Sequence, residues 1–303
     1  MIWKGRSRVW LVSKLLECVL NFSEGSDLEL IEQVVAAIKT AKVLDVHSDP
    51  DHNRSVVTFI GAPEEVKQGA FDLTERAMQL LDVKEHAGVH PYIGVVDVIP
   101  FIPLRDCTMK EAVGTAHQLG KELWEKLKLP VYYYGQAARI IERQDLPFVR
   151  KGGYFLLKQE IEAPQRRPDV GQGLHPSAGA VAVGARDYLI AFNINLNTTE
   201  LDLASSIAKN IREKNGGLKG VRALGLALES RGITQVSINI TDHRETSLKK
   251  VYDEVAKWAK EYKVGIVESE IVGLIPAGAV FKGMREYLKL KKFSENIIID
   301  TYL

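Results

Sequence analysis

Cysteine is scarce in this chain. Its 303 residues hold two, Cys18 and Cys107, at positions that form neither a disulfide framework nor a paired metal-ligand spacing. That excludes a cystine-stapled scaffold and points to a reducing cytoplasm. Long apolar runs are missing as well: no stretch approaches the ~20 apolar residues of a membrane span. The run Val9-Trp10-Leu11-Val12 is shorter than a secretory core and no small-residue cleavage pattern follows it. Residues 1–14 therefore read as an extension or lead-in to the first strand. Charge imbalance is also absent. A formal net charge of +1 gives no global attraction to nucleic acid or to a membrane surface, although local basic stretches can still build an anion pocket. No P-loop or GxSxG elbow occurs, and Gly171-Gln172-Gly173 lacks the third glycine and the strand-to-helix setting of a dinucleotide fingerprint. What remains is a soluble globular chain, 46% hydrophobic and 26% charged, long enough for two modest cores.

The apolar pattern supplies an order of elements. Leu15 to Leu20 reads as a buried strand, and Ser26 with Glu29 as a capping box opening a helix on which Ile31, Val34, Val35 and Ile38 recur at helical spacing. Val43 to Val46 and Val56 to Ile60 read as strands, Pro63 starts a helix through Leu81, and Val95 to Ile102 is a further strand. A helix from about Thr108 to Leu127 and a strand from Val131 to Tyr134 follow. The second half repeats the order: strand Tyr188 to Leu196, helix Thr199 to Arg212, strands Val221 to Leu228 and Gln235 to Ile240, helix Thr246 to Tyr262, strand Val264 to Ile271. Each half is thus β-α-β-β-α-β, which predicts an α/β (α+β) protein of two ferredoxin-like βαββαβ subdomains with mixed sheets, residues 15–185 and 186–303. Between the halves, Lys151 to Gly179 is rich in Gly, Pro and Arg and reads as a long irregular connector, either disordered or shaped to wrap an acidic ligand.

Two segments carry candidate chemistry. Ala87-Gly88-Val89-His90-Pro91-Tyr92-Ile93-Gly94 sets one histidine in a glycine- and proline-bounded loop ahead of a strand, where an imidazole of ordinary pKa about 6.5 can exchange a proton near neutral pH. The turn containing Asp45, His47, Asp49, Asp51, His52, Asn53 and Arg54 offers metal-ligating residue types. It lacks helical spacing or a partnered cysteine, and Asp and Asn are common turn formers, so no metal is expected. Arg54 with Asn53 suits an acidic substrate instead, since a guanidinium fork binds a carboxylate through two bonds.

Taken together, several segments resemble the formiminotransferase family: Glu17-Cys18-Val19-Leu20-Asn21-Phe22-Ser23-Glu24-Gly25, Asp49-Pro50-Asp51-His52-Asn53-Arg54, Gly88-Val89-His90-Pro91 with Gly94, Asp97-Val98-Ile99-Pro100-Phe101, Val131-Tyr132-Tyr133-Tyr134-Gly135, Gly184-Ala185-Arg186 and Leu189 to Leu196. The resemblance implies transfer of a formimino group between glutamate and tetrahydrofolate, with His90 as general acid/base and no metal. It also implies a ligand groove between the subdomains and a folate-binding connector, here Gly171 to Gly179, which nominates Gly171, Gln172, Gly173, His175, Ser177 and Gly179. The family's supporting carboxylate falls at His47 in an ungapped comparison, with Asp49 two residues later on the same strand face, so both are candidates to orient His90. Asn21, Arg54, Arg186, Asn193 and Asn195 are the remaining substrate or folate candidates; the last two alternate on one strand and share a face. Animal members carry a cyclodeaminase domain after this one, so a chain ending at Leu303 is expected to be a monofunctional transferase and, by resemblance, a cytoplasmic homodimer acting on small molecules. Glycine in place of glutamate, a formyl in place of a formimino group, or a folate-binding protein without turnover are the competing readings.

Overall fold

A computed structural model describes residues 14–303; the expected N-terminal extension therefore lies, apart from Lys14, outside the described residues. The first unit runs β1 (Leu16–Phe22), α1 (Leu28–Val35), β2 (Lys42–Asp49), β3 (Arg54–Gly61), α2 (Pro63–Leu80) and β4 (Val96–Pro103). It continues through α3 (Met109–Leu127), β5 (Val131–Gly135), two short helices α4 (Leu146–Val149) and α5 (Gly153–Glu160), and β6 (Val181–Ala185). These strands form one sheet in the order β2-β3-β1-β4-β6-β5. Its first four are antiparallel, while β6 runs parallel to β4 and β5. The second unit is β7 (Ile190–Leu196), α6 (Leu201–Ile211), β8 (Val221–Leu228), β9 (Ile233–Ile240), α7 (Leu248–Glu261) and β10 (Ile266–Val272). Its order, β10-β7-β9-β8, repeats that of β4-β1-β3-β2, so each half has the ferredoxin-like arrangement.

Local chemistry explains where the elements start. The cap of α1 is Asp27, which accepts from the Leu30 amide at 3.0 Å, and not Ser26: the Ser26 and Asp27 amides are both taken by the Glu24 carboxylate at 2.7 and 2.9 Å, moving the cap one residue on. Pro63 opens α2 as expected, with Glu65 reaching back to the Ala62 amide at 2.9 Å. The connector is less irregular than its composition suggests. Gly152 and Gly153 lie at φ of 76° and 65°, so they turn the chain into α5 instead of preventing a helix.

Strand alternation then decides which face each side chain meets. On β1, Leu16, Cys18, Leu20 and Phe22 join the core beneath α1, α2 and α3, while Glu17, Val19 and Asn21 line a cleft on the other face. On β7, Phe192, Ile194 and Leu196 pack with Ile207 of α6 and Val251 and Val255 of α7, leaving Ala191 and Asn193 to the cleft. Each fully buried Phe, Leu or Ile of these cores contributes ~1.5–3 kcal/mol. The two sheets thus carry helices on their outer faces and turn their inner faces toward each other. Part of the first sheet's inner face is covered by Val149 of α4 and Leu157 of α5, and one margin of the junction is sealed by Ile60, Leu274 and Ile299.

Candidate active site

The cleft between the sheets is lined by residues of both, among them Asn21, Arg54 and His90 from the first unit and Asn193 and Ser237 from the second. His90 stands at one end of it. Its loop is held by close backbone approaches that admit no side chain. A Cβ on Gly88 would lie 2.3 Å from the His52 carbonyl oxygen, and one on Gly94 2.2 Å from that of Ala180. Asn53, in the left-handed region at φ 45°, donates to the Ala87 carbonyl at 3.0 Å and accepts from the Gly25 amide at 3.0 Å. Asn53 is therefore committed to bracing the loop, while its neighbour Arg54 faces the cleft.

The His90 ring donates through Nδ1 to the Pro91 carbonyl at 2.9 Å. A carbonyl can only accept, so the neutral ring carries its proton there and Nε2 keeps its lone pair. Burial, then Arg54, Arg150 and His52, hold the imidazole well below its ordinary pKa, which keeps it neutral at physiological pH and fit to act as a base. Neither Asp49 nor His47 is its partner. Asp49 accepts from the His52 amide at 2.8 Å, stabilising the turn, and His47 lies 3.9 Å from the Glu270 carboxylate.

Two arginines give this end its charge. The Arg54 guanidinium makes no hydrogen bond or ion pair among the described residues; burial and the neighbouring Arg150 push its pKa down to about 10, which leaves it cationic at neutral pH. Arg150 pairs with the buried Asp97, whose other oxygen accepts from the Ile93 amide at 3.0 Å, and its buried Nε has no partner. An unpaired guanidinium beside a second one suits a carboxylate ligand. Arg150 was not foreseen from sequence: it sits beside an irregular stretch, and only the fold brings it to Asp97, 53 residues away.

The other nominated residues separate into groups. Asn21 lines the cleft, donating to the Val19 carbonyl at 2.9 Å, and so does Arg186, which donates to the Asp187 carbonyl at 3.0 Å. Asn193 lines it too and donates to Glu270 at 3.0 Å; Asn195 is buried, donating to Glu268 at 3.2 Å and accepting from Gln235 at 2.9 Å. Gln235 in turn bonds His52 Nε2 at 3.0 Å across the subdomain junction. The ring of His52 lies 6.0 Å from that of His90, a link the sequence reading did not contain. The connector residues lie elsewhere. Gly171, at φ 89°, packs against Trp124 in a separate groove with His117, Tyr133 and Arg139. Gln172 is exposed, and Gly173 has open space around its Cα. His175 and Gly179 exchange backbone bonds of 2.8 and 3.0 Å, the His175 ring accepts from the Ser177 and Ala178 amides at 3.4 and 3.0 Å, and the Ser177 carbonyl accepts from the Val83 amide at 2.7 Å. That loop abuts Ile93 and so buttresses the His90 segment from behind.

Among the described residues no group of three or more His, Cys, Asp or Glu is placed to hold a metal ion, and no helix is long and apolar enough to cross a membrane.

Comparison with known proteins bears on the family of the chain. Residues 15–186 match the formiminotransferase domain, N-terminal subdomain, and residues 191–300 match the formiminotransferase domain. A glutamate formimidoyltransferase of Thermoplasma acidophilum is 41% identical, over 94% of this chain and 96% of that protein. One of Streptococcus pyogenes is 38% identical over 96% and 99%. A formimidoyltransferase-cyclodeaminase of Gallus gallus is 43% identical over 93% of this chain but 54% of its own length. With both halves matched in order and relatives of this identity aligned along nearly the whole chain, the protein belongs to the formiminotransferase family.

Proposed function

We propose that the protein is a glutamate formimidoyltransferase, moving a formimino group between N-formimino-L-glutamate and tetrahydrofolate to give 5-formimidoyltetrahydrofolate and L-glutamate. The observation that carries the mechanism is His90: a neutral imidazole, anchored through Nδ1 to the Pro91 carbonyl, beside the cations Arg54 and Arg150. In the forward direction N5 of tetrahydrofolate attacks the formimino carbon and His90 accepts the N5 proton. The tetrahedral intermediate then collapses as His90 returns that proton to the departing glutamate nitrogen. One residue serves both steps because both nitrogens are attached to the same carbon. Arg54 and Arg150 hold the donor's carboxylates, which gives the cleft a local positive end despite the net charge of +1. Asn21 and Asn193 contribute polar contacts along the cleft wall.

The working unit comprises residues 15–185 and 186–303. Its expected cytoplasmic, homodimeric state rests on the family resemblance, and the free thiols of Cys18 and Cys107 are compatible with a reducing compartment. The test is His90→Ala in the full chain, assayed with tetrahydrofolate and N-formimino-L-glutamate. Positioned proton transfer contributes ~10²–10⁴ in rate, so kcat should fall by about that factor with the fold intact by circular dichroism. Near-normal turnover would refute the assignment. Parallel assays with formiminoglycine and formylglutamate identify the donor.

A further inference from the structure

The mechanism leaves Glu17 unused, a buried carboxyl in the wall of the cleft. It lies on β1 facing the cleft with Val19 and Asn21 and is 1% exposed. Neither of its carboxylate oxygens has a partner of good hydrogen-bond geometry, although the Tyr188 hydroxyl and the Arg186 guanidinium both act on it. A buried carboxylate without well-aligned partners is costly, by several kcal/mol when ionised. Carboxylates with a purely structural role in this protein are matched: Asp169 pairs with Arg143 at 2.7 Å, and Asp97 with Arg150. Burial pushes the Glu17 carboxyl up to about 7, with Arg186 and Tyr188 nearby holding the rise down. Around neutral pH it can thus ionise once a ligand brings donors.

Position narrows what those donors are. Glu17 and Asn21 are four residues apart on one strand, roughly 13 Å at ~3.3 Å per residue, and Asn21 marks the end nearer Arg54 and His90. A carboxylate whose oxygens lack well-aligned partners fits two parallel N–H donors on a flat ring edge. It repels the carboxylates of glutamate, which go to the arginine end. Of the two substrates, tetrahydrofolate has such an edge: the N3–H and 2-amino group lie side by side on one ring of the pteridine, and N5 is on the other. We propose that Glu17 accepts hydrogen bonds from the N3–H and 2-amino group of the tetrahydropteridine and so presents N5 to His90. This deepens the transferase reading and rests on it.

The experiment pairs a protein change with a ligand change. Glu17→Gln keeps shape and burial but substitutes a donor for one acceptor. Losing a charged hydrogen bond is worth ~1.5–3 kcal/mol, about 10- to 100-fold. The KM for tetrahydrofolate should rise by that factor, with the KM for N-formimino-L-glutamate within about twofold of wild type. With 2-desamino-tetrahydrofolate, wild type should lose a similar factor and Glu17→Gln little more than it has already lost. An unchanged folate KM in Glu17→Gln, or an equal loss for the desamino ligand in both proteins, would overturn the proposal while leaving a working wild-type transferase. If wild type transfers no formimino group at all, the transferase reading falls and this one with it. If Glu17→Gln does not fold, the desamino ligand on wild type decides: a tenfold or larger loss supports the contact, and an unchanged KM refutes it.

Discussion

The two ends of the cleft meet the same physical pressure with opposite functional results. Both bury an ionisable group, and burial disfavours the charged form of each. At the His90 end this is reinforced by Arg54 and Arg150, and the neutral imidazole that results is the form a base requires. At the Glu17 end the neutral form is the inactive one, since a carboxylate accepts paired donors best when ionised; Arg186 and Tyr188 oppose the rise. The base is therefore set by the protein alone, whereas the carboxylate acceptor is completed by its ligand. Strain held at a binding residue and relieved by substrate is a recurrent source of trade-off between stability and activity.

The comparison breaks most visibly through Arg150. Removing it as Arg150→Ala leaves Asp97, 2% exposed, with the Ile93 amide as its remaining partner. Stranding one member of a buried pair costs ~3–5 kcal/mol, so the urea midpoint should fall sharply with kcat, because the same carboxylate anchors the His90 segment. A midpoint within experimental scatter of wild type would show that the pair is not structural.

Glu17→Gln should act in the opposite sense on stability. The carboxyl moves from an unfolded value of 4.5 to about 7 in the fold, so the folded state binds the proton more tightly and wild type loses stability as pH rises through that window. The full effect is on the order of 3 kcal/mol, present above pH 7 and absent below about 4.5. Glu17→Gln should therefore melt several degrees above wild type at pH 8, with the gap closing toward pH 4.5. A variant less stable at pH 8 would contradict the account. Its combination of higher Tm with weaker folate binding is what distinguishes a ligand contact from a packing residue.

Much of this architecture was legible in the residues themselves. Strong periodicity and sharp punctuation marked both β-α-β-β-α-β repeats, and the flanking Gly88, Pro91 and Gly94 isolated His90. Strand β6 was hidden because Val181–Ala185 is short, made of small residues and buried on both faces, so no period of two survives. Arg150 and the link from His52 to Gln235 could not be read, since their partners are 53 and 183 residues away and burial, not residue type, gives them meaning. Glu17 did leave a trace, as a charge inside an apolar strand. Whether such a charge meets water, an arginine or a ligand depends on what covers that face, and the second sheet supplies the cover.

The finest test of the comparison is the titration of His90 itself, followed by NMR in the free protein. Burial is the largest cause of its lowered pKa and Arg54 the next. Arg54→Gln removes one cation but leaves the burial in place, so the pKa should move up and still lie below the 6.5 of free imidazole. Protonation of the base would then begin at higher pH, shifting the acid limb of the rate profile the same way. Glu17→Gln should move the titration less than Arg54→Gln does, because the leading causes that lower it are burial, Arg54, Arg150 and His52. If Arg54→Gln lowered the pKa, or if Glu17→Gln moved it as much as Arg54→Gln does, the two ends would be one electrostatic unit and the division of labour between base and ring acceptor would fail.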